Sequence, residues 1–401
     1  MGHRDDRSKP EIYAGGDDLS THDPNWGFET VCQHTAEDYR FEGAVVPPIF
    51  QTSLFTYETG EAFENRLSDE MTWDYTRVSN PTTDIAEKKI AALEGGEKCR
   101  LFGSGMAAIS AAVMSACKAG SHIVCTNAAY GPTKYLMQHM LPRFGVTTTY
   151  VDGRDTDEIR DALRDETTVI YIESPGSFFF DIQDIPAIVQ MARERGIVTI
   201  ADNSNCSPYY QRPLSLGVDL VVHSATKYLG GHSDIVCGAA IGSRERMKPL
   251  IEMEGLLLGG ILDPFAAWLM IRSLRTLALR MERHAESARA IAEHLVRHDA
   301  VSKVYYPGLP THPHQDRIRA QMRGASGLIT FRPAFQEKQS VYRFCESLRL
   351  FQIGVSWGGH ESLAIPVSVP EKAGKWYVRM SIGLESVQDL IADLDAAFAS
   401  V

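Results

Sequence analysis

Through the middle of the chain, short apolar runs alternate with longer stretches in which apolar residues recur at helical spacing. The apolar runs are His122–Thr126, Thr147–Val151, Thr168–Glu173, Ile197–Asp202 and Leu220–Ser224. Bounded by polar and glycine-containing turns, they read as buried strands. Between them Thr133–Leu141, Thr156–Arg164 and Ile185–Arg195 carry the helical period. Upstream, Asn80-Pro81-Thr82-Thr83 reads as a turn opening a helix over Asp84–Leu93, and Gly95-Gly96 ends it. Cys99–Phe102 reads as a short strand leading into Gly103-Ser-Gly-Met-Ala-Ala-Ile109, a tight turn that starts an alanine-rich helix. Repeated strand–helix alternation predicts a mostly parallel sheet with helices on both faces.

From about Leu256 the pattern changes. One long helical stretch, Pro264–Arg297, is followed by strand-like pieces at Gly327–Arg332, Phe351–Val355 and Trp376–Ile382. Loss of strict alternation predicts a separate, smaller α+β domain. At the other end, residues 1 to about 27 are polar and read as a tail. Phe28–Phe63 is apolar but irregular, and Pro47-Pro48 blocks a regular helix there. Such a segment must bury itself against something, so it reads as an arm lying on another domain or subunit, or as an irregular start to the main domain. The expected division is 1–63 tail and arm, 64–256 α/β domain, and 257–401 α+β domain.

Composition narrows the class. A length of 401 residues suits two packed domains plus an arm, and 44% hydrophobic with 23% charged residues is ordinary for a soluble enzyme. A formal net charge of −11 argues against nucleic-acid binding and against an anionic membrane surface. It leaves room for a local basic pocket. The seven cysteines are odd in number, scattered, and lack a Cys-x-x-Cys pair. They read as reduced thiols in a cytoplasmic protein, with neither a disulfide framework nor a zinc site. His312 and His314 lie in a proline-rich loop and read as solvent-facing, so no metal is expected. No uncharged apolar run approaches the ~20 residues of a membrane-spanning helix.

Candidate chemistry gathers where the predicted strands end, the place where ligands sit in such sheets. Tyr130, Glu173, Asp202 and Lys227 all fall there. Lys227 stands in Ser224-Ala-Thr-Lys-Tyr-Leu-Gly-Gly-His232. A lysine held near low dielectric reaches its neutral amine form at lower cost and can then attack an aldehyde. A surface lysine in a strand-to-loop turn fits that stretch equally well. Asp202 alone fits a helix cap or a metal ligand; paired with a strand-end lysine, it fits the carboxylate that keeps a pyridine ring protonated. A protonated ring is the electron sink of pyridoxal phosphate (PLP) chemistry. Tyr130 can stack on such a ring or be a half-buried core residue. The Gly103-Ser-Gly-Met106 turn, with backbone N–H groups of Gly105 and Met106, and the hydroxyls of Ser224 and Thr226 can hold a phosphate. Gly-rich turns are also common packing devices.

These residues resemble the Cys/Met-metabolism family of fold-type-I PLP enzymes, which includes cystathionine γ-synthases, cystathionine β- and γ-lyases and methionine γ-lyases. The resemblance runs from about Phe28 to the C-terminus. Its segments, in family order, are Gly43-Ala-Val-Val-Pro-Pro-Ile-Phe-Gln-Thr-Ser53, Tyr75-Thr-Arg77 with Asn80-Pro-Thr82, Gly103-Ser-Gly-Met-Ala-Ala108, Glu173-Ser-Pro175, Ser224-Ala-Thr-Lys-Tyr228, Gly230-Gly-His-Ser-Asp234 and Tyr377-Val-Arg-Met-Ser-Ile-Gly383. The resemblance implies the PLP-dependent transferase fold of type I. It implies that Lys227 binds the cofactor's aldehyde and then shuttles protons, that Asp202 faces the ring nitrogen, and that Tyr130 stacks and assists in proton transfer. Gly105, Met106, Ser224 and Thr226 would bind the phosphate. Tyr75 and Arg77 would reach the phosphate of a neighbouring subunit, which makes the active unit at least a dimer, typically within a homotetramer. Arg379 would hold the substrate α-carboxylate, and Ser356 with Trp357 would close the other side.

Two departures bear on the reaction. The family usually reads Glu-(Ser/Thr)-Pro-x-Asn-Pro, with the Asn bonding the cofactor's phenolic oxygen; Glu173-Ser-Pro-Gly-Ser177 puts Ser177 there. That variant, Asp184-Ile-Pro-Ala-Ile188 and Ser356-Trp357-Gly-Gly359 are similar to bacterial cystathionine β-lyases, whereas Asn80-Pro81-Thr82 is similar to γ-acting members. Val355 stands where many cystathionine-handling γ-enzymes carry Glu, and an apolar side chain cannot bond a distal ammonium. The expected activity is a lyase acting on a sulfur-type amino acid, first a cystathionine β-lyase. Next comes a γ-acting enzyme on methionine, O-acyl-homoserine, cystathionine or a γ-oxygen analogue such as canavanine. A non-catalytic binding protein on the same fold is a more remote reading.

Overall fold

The computed structural model describes residues 25–37, 41–66, 73–369 and 374–401. The polar tail expected at the N-terminus thus lies, up to residue 24, outside the described residues. Seven strands form the larger sheet: β1 Lys98–Phe102, β2 His122–Thr126, β3 Thr147–Val151, β4 Thr167–Glu173, β5 Val198–Asp202, β6 Leu220–His223 and β7 Gly238–Gly242. Their order is β1-β7-β6-β5-β4-β2-β3. β3, β2, β4, β5 and β6 pair in parallel, and β7 runs antiparallel to both β1 and β6. The inner strands are apolar on both faces, with Val169 to Ile172 and Val221 to Val222 fully buried, as a sheet covered on both sides requires. The crossovers are helical, and each starts at a residue suited to it. Asn80, Ser104 and Asp184 accept N–H bonds at the starts of Pro81–Glu94, Gly105–Ser115 and Ile185–Glu194.

The smaller sheet comprises β8 Val301–Tyr305, β9 Leu328–Pro333, β10 Leu363–Val369 and β11 Lys375–Ser381, in the order β10-β11-β9-β8. All its pairings are antiparallel. Its inner face packs on the helices Leu277–Arg297, Lys338–Ser347 and Val387–Phe398 through Ile291, Leu295, Phe331, Phe344, Met380 and Leu394. The helix Leu277–Arg297 bridges the two halves. Leu277, Ala278, Met281 and Ala285 join the core beside the large sheet, and Ala288, Ile291, Ala292 and Leu295 join the core of the small one. This is an α/β chain with a mostly parallel sheet and a smaller α+β part. Among the described residues, no helix is long and apolar enough to cross a membrane.

Two expected elements differ. The stretch Pro264–Arg297 is two helices, Pro264–Leu274 and Leu277–Arg297, broken at Arg275-Thr276. The Arg280 guanidinium and the Thr276 hydroxyl both donate to the Ser273 carbonyl, which caps the first helix in place of the next turn. Neither glycine nor proline marks this break. Phe351–Val355 is not a strand: only Gln352 bridges to Leu363, while Ile353 and Val355 project outward. Phe351 packs into the core of the small sheet, and the segment leads into Ser356, which meets Lys227. Strands β7, β8 and β10 carry no period distinct enough to stand out.

Candidate active site

The loops after β2, β4, β5 and β6 converge at one edge of the large sheet. β4 and β5 end level, with Glu173 opposite Asp202 in register, and β6 lies next to β5. Past β6 the chain folds back: the Lys227 N–H bonds the Ser224 carbonyl at 3.0 Å and the Thr226 N–H bonds the Cys237 carbonyl at 3.0 Å. This turn aims Lys227 at the loop from the small domain. Its Nζ donates to Ser356 Oγ at 2.7 Å and lies 5.5 Å from the Trp357 ring. The loop reaches that close because Gly358 sits at φ +81°, where a Cβ would come 2.9 Å from the Tyr228 nitrogen. Burial, and then the Arg379 charge, hold the Lys227 amine below the usual lysine range.

Asp202 is 6% exposed, and burial pushes its carboxyl upward. Its Oδ1 accepts from the Ser204 N–H at 2.9 Å and the Ser204 hydroxyl at 2.5 Å. Among the described residues its Oδ2 has only the Tyr171 hydroxyl, at 3.5 Å, so one oxygen remains open to a further donor. Glu173 Oε2 accepts from the Tyr130 N–H at 2.7 Å, and Ser177 bonds Oε1. The Tyr130 ring stands 48% exposed over this edge. Arg379, on β11, donates to the Val355 carbonyl at 2.7 Å.

The opening turn of the helix Gly105–Ser115 lies against Ser224. A Cβ on Gly105 would come within 2.9 Å of the Ser224 Cβ and 3.0 Å of its Oγ. The first N–H groups of a helix have no partner within it, and this helix starts at Gly105, against Ser224. Thr226 Oγ1 accepts from the Cys237 N–H at 2.9 Å and faces the Cys237 carbonyl at 3.2 Å, so its proton can turn from that carbonyl to an anion. Tyr75 and Arg77 lie exposed at the surface. Arg77 bonds the Leu256 carbonyl at 3.1 Å and packs on the Tyr75 ring at 5.5 Å.

The Cys/Met metabolism PLP-dependent enzyme family matches residues 29–399. The chain belongs to that family. It is 39% identical over 393 residues to an L-methionine gamma-lyase of Fusobacterium nucleatum subsp. nucleatum, spanning 94% of this chain and 98% of that protein. It is equally 39% identical over 367 residues to a cystathionine beta-lyase of Lactococcus lactis subsp. cremoris, spanning 88% and 94%. The crystal structure of metB from Corynebacterium glutamicum superposes with a TM-score of 0.87 at 37% identity, over 95% of this chain and 99% of that one. The family's cofactor fits what the site offers. There is an amine poised toward its neutral form, a buried carboxylate with one oxygen open, and a backbone cradle that a single methyl group on Gly105 would crowd.

Sequence reasoning left several residues without a role. Ser204 fixes Asp202. Behind it, buried His223 Nε2 bonds Glu94 Oε2 at 2.9 Å, and Asn203 Nδ2 bonds Glu94 Oε1 at 3.2 Å and the Gln211 carbonyl at 2.8 Å. Arg280 anchors the Tyr228 carbonyl at 2.6 Å, one residue past Lys227. These contacts join elements far apart in sequence.

Proposed function

We propose that the chain is a PLP-dependent lyase that expels a leaving group from the γ-carbon of a straight-chain amino acid, such as methionine, an O-acyl-homoserine or a γ-oxygen analogue. Val355 carries this reading. Its side chain is 82% exposed beside Ser356, and its carbonyl is held by Arg379. Many cystathionine-handling γ-enzymes of the family carry Glu at this position, and an isopropyl group there offers no partner for the distal ammonium of cystathionine. The methionine gamma-lyase relatives support the same reading.

In this reading Lys227 would bind the cofactor's aldehyde, Asp202 would face the ring nitrogen and Tyr130 would cover the ring. Gly105, Met106, Ser224 and Thr226 would hold the phosphate, and Ser177 would face the ring's edge. When bound, PLP supplies an electron sink that acidifies the hydrogens near the substrate's α-carbon. The Lys227 amine takes the proton from Cα, and for γ-departure it must give that proton up again before it takes one from Cβ. Ser356 steers that amine, Trp357 excludes water on its flank, and the Tyr130 hydroxyl, on the open side, protonates the departing group. Arg379 fixes the α-carboxylate with charge-assisted bonds. Tyr75 and Arg77 reach a neighbouring subunit's phosphate in a cytoplasmic homotetramer.

A second reading, β-elimination from cystathionine, is favoured by Glu173-Ser-Pro-Gly-Ser177, by Ser356-Trp357-Gly-Gly359, and by the Lactococcus relatives. Product analysis with methionine, O-acyl-homoserine, canavanine and cystathionine in parallel separates the two. The γ reading expects 2-oxobutanoate or homoserine with cystathionine untouched. Pyruvate and homocysteine from cystathionine would overturn it in favour of the second.

A further inference from the structure

Glu173 and Asp202 end adjacent parallel strands in register, and each is 6% exposed. Two carboxylates so placed in low dielectric do not both ionise freely, so the pair retains a proton into the neutral range. Their surroundings decide where it sits. Asp202 faces the Ser204 N–H and hydroxyl, the Tyr171 hydroxyl and, more distantly, His223. A ring N–H on its open oxygen favours its ionised form further. Glu173 faces the Tyr130 N–H, the Ser177 hydroxyl, the Lys134 ammonium on the next helix, the Cys125 thiol of β2 and Tyr171 of its own strand. Burial and the Asp202 charge push the Glu173 carboxyl up to about 8. With a ring N–H on the open oxygen of Asp202, the shared proton rests on Glu173, which has no such donor.

That placement reverses a hydrogen bond. An ionised Glu173 draws the Ser177 proton to itself and leaves Ser177 only lone pairs toward the site. A protonated Glu173 donates from Oε1 to Ser177 Oγ, while Oε2 still accepts from the Tyr130 N–H. The Ser177 proton is then free to point into the site. We propose that Glu173 is a positioning residue for the cofactor: it clamps the Tyr130 loop to the Ser177 loop and, as a neutral acid beside ionised Asp202, turns the Ser177 hydroxyl inward as a donor. This rests on the cofactor site described above and on neither choice of elimination.

The test is the visible absorption of the PLP-loaded enzyme, without substrate, followed from about pH 6 to about pH 10. In the wild type the donor state prevails below the Glu173 midpoint, which burial raises above the usual carboxylate range, and is lost as pH rises through it. A spectral step with that midpoint is expected. Glu173→Gln is uncharged at every pH, keeps an oxygen for the Tyr130 N–H, and should hold the low-pH spectrum throughout. Ser177→Ala leaves the Tyr130 clamp intact and should also lose the step. A wild type without the step overturns the proposal, as does a step with the same midpoint in either variant. A purely structural role would weaken cofactor binding at all pH values without moving the midpoint. A wild type with no visible band would overturn the site itself, a distinct result.

Discussion

A lysine that serves as a base must shed its proton near neutrality, and Arg379 contributes to that at Lys227. Its charge, after burial, lowers the affinity of Nζ for a proton, and its guanidinium is held toward the site by the Val355 carbonyl. Arg379 thus has two separable effects. Arg379→Ala should raise KM about 10- to 100-fold, the worth of a charge-assisted bond to the carboxylate. It should also move the rising limb of the kcat–pH profile to higher pH, because removing a nearby positive charge lets the Lys227 amine hold its proton longer. A pH-resolved kinetic comparison checks both, and an unchanged KM would mean the carboxylate is held elsewhere. At this scale, part of the site was legible and part was not. Tyr130, Glu173, Asp202 and Lys227 each follow an apolar run, and a parallel sheet gathers such residues at one edge. No period links Ser356 or Arg379 to Lys227; only family resemblance placed them there. Ser204 and the Glu94–His223–Asn203 contacts are polar residues of ordinary type, whose partners exist only after folding.

At the scale of elements, the anion cradle depends on how closely one helix start can approach one strand end. Gly105 is the first residue of its helix, where alanine would ordinarily be the better helix former by up to about 1 kcal/mol. The added Cβ, however, would meet Ser224 at 2.9 to 3.0 Å. Gly105→Ala should therefore keep its thermal midpoint within a few degrees while PLP affinity falls roughly tenfold or more, since one displaced charge-assisted bond costs at least that. Equilibrium dialysis measures the affinity, and an undiminished value would show that the phosphate sits elsewhere. The βα units that build this cradle were readable because their strands are buried on both faces and their helices are capped locally. The break at Arg275-Thr276 was not, because Arg280 makes it from the following helix. Nor was the loop at Phe351–Val355, where Phe351 fills the core of the small sheet while Ile353 and Val355 stay exposed.

At the scale of the whole molecule, the described surface leaves apolar side chains exposed along one chain segment and its neighbours: Val45, Leu54, Phe63, Tyr75, Met253, Leu257 and Leu258. Arg77 joins the arm to this region through the Leu256 carbonyl. Exposed apolar residues along an arm suit contact with another protein molecule, and a second copy there would bring Tyr75 and Arg77 toward the neighbouring site. If each site draws Lys227 from one subunit and Arg77 from the other, two crippled chains can repair each other. In a two-fold dimer of Lys227→Ala with Arg77→Ala, one site carries both substitutions and the other carries neither. Random mixing in equal amounts makes about half of the dimers mixed, so activity should return to about one quarter of wild type. Each variant alone should stay far below that level. The mixture is assayed after mild denaturation and refolding, with mass spectrometry of the intact assembly to verify exchange. Mixed assemblies that form yet remain as inactive as their parents would place Arg77 in the same subunit's site, or in none, and the exposed arm would need another partner.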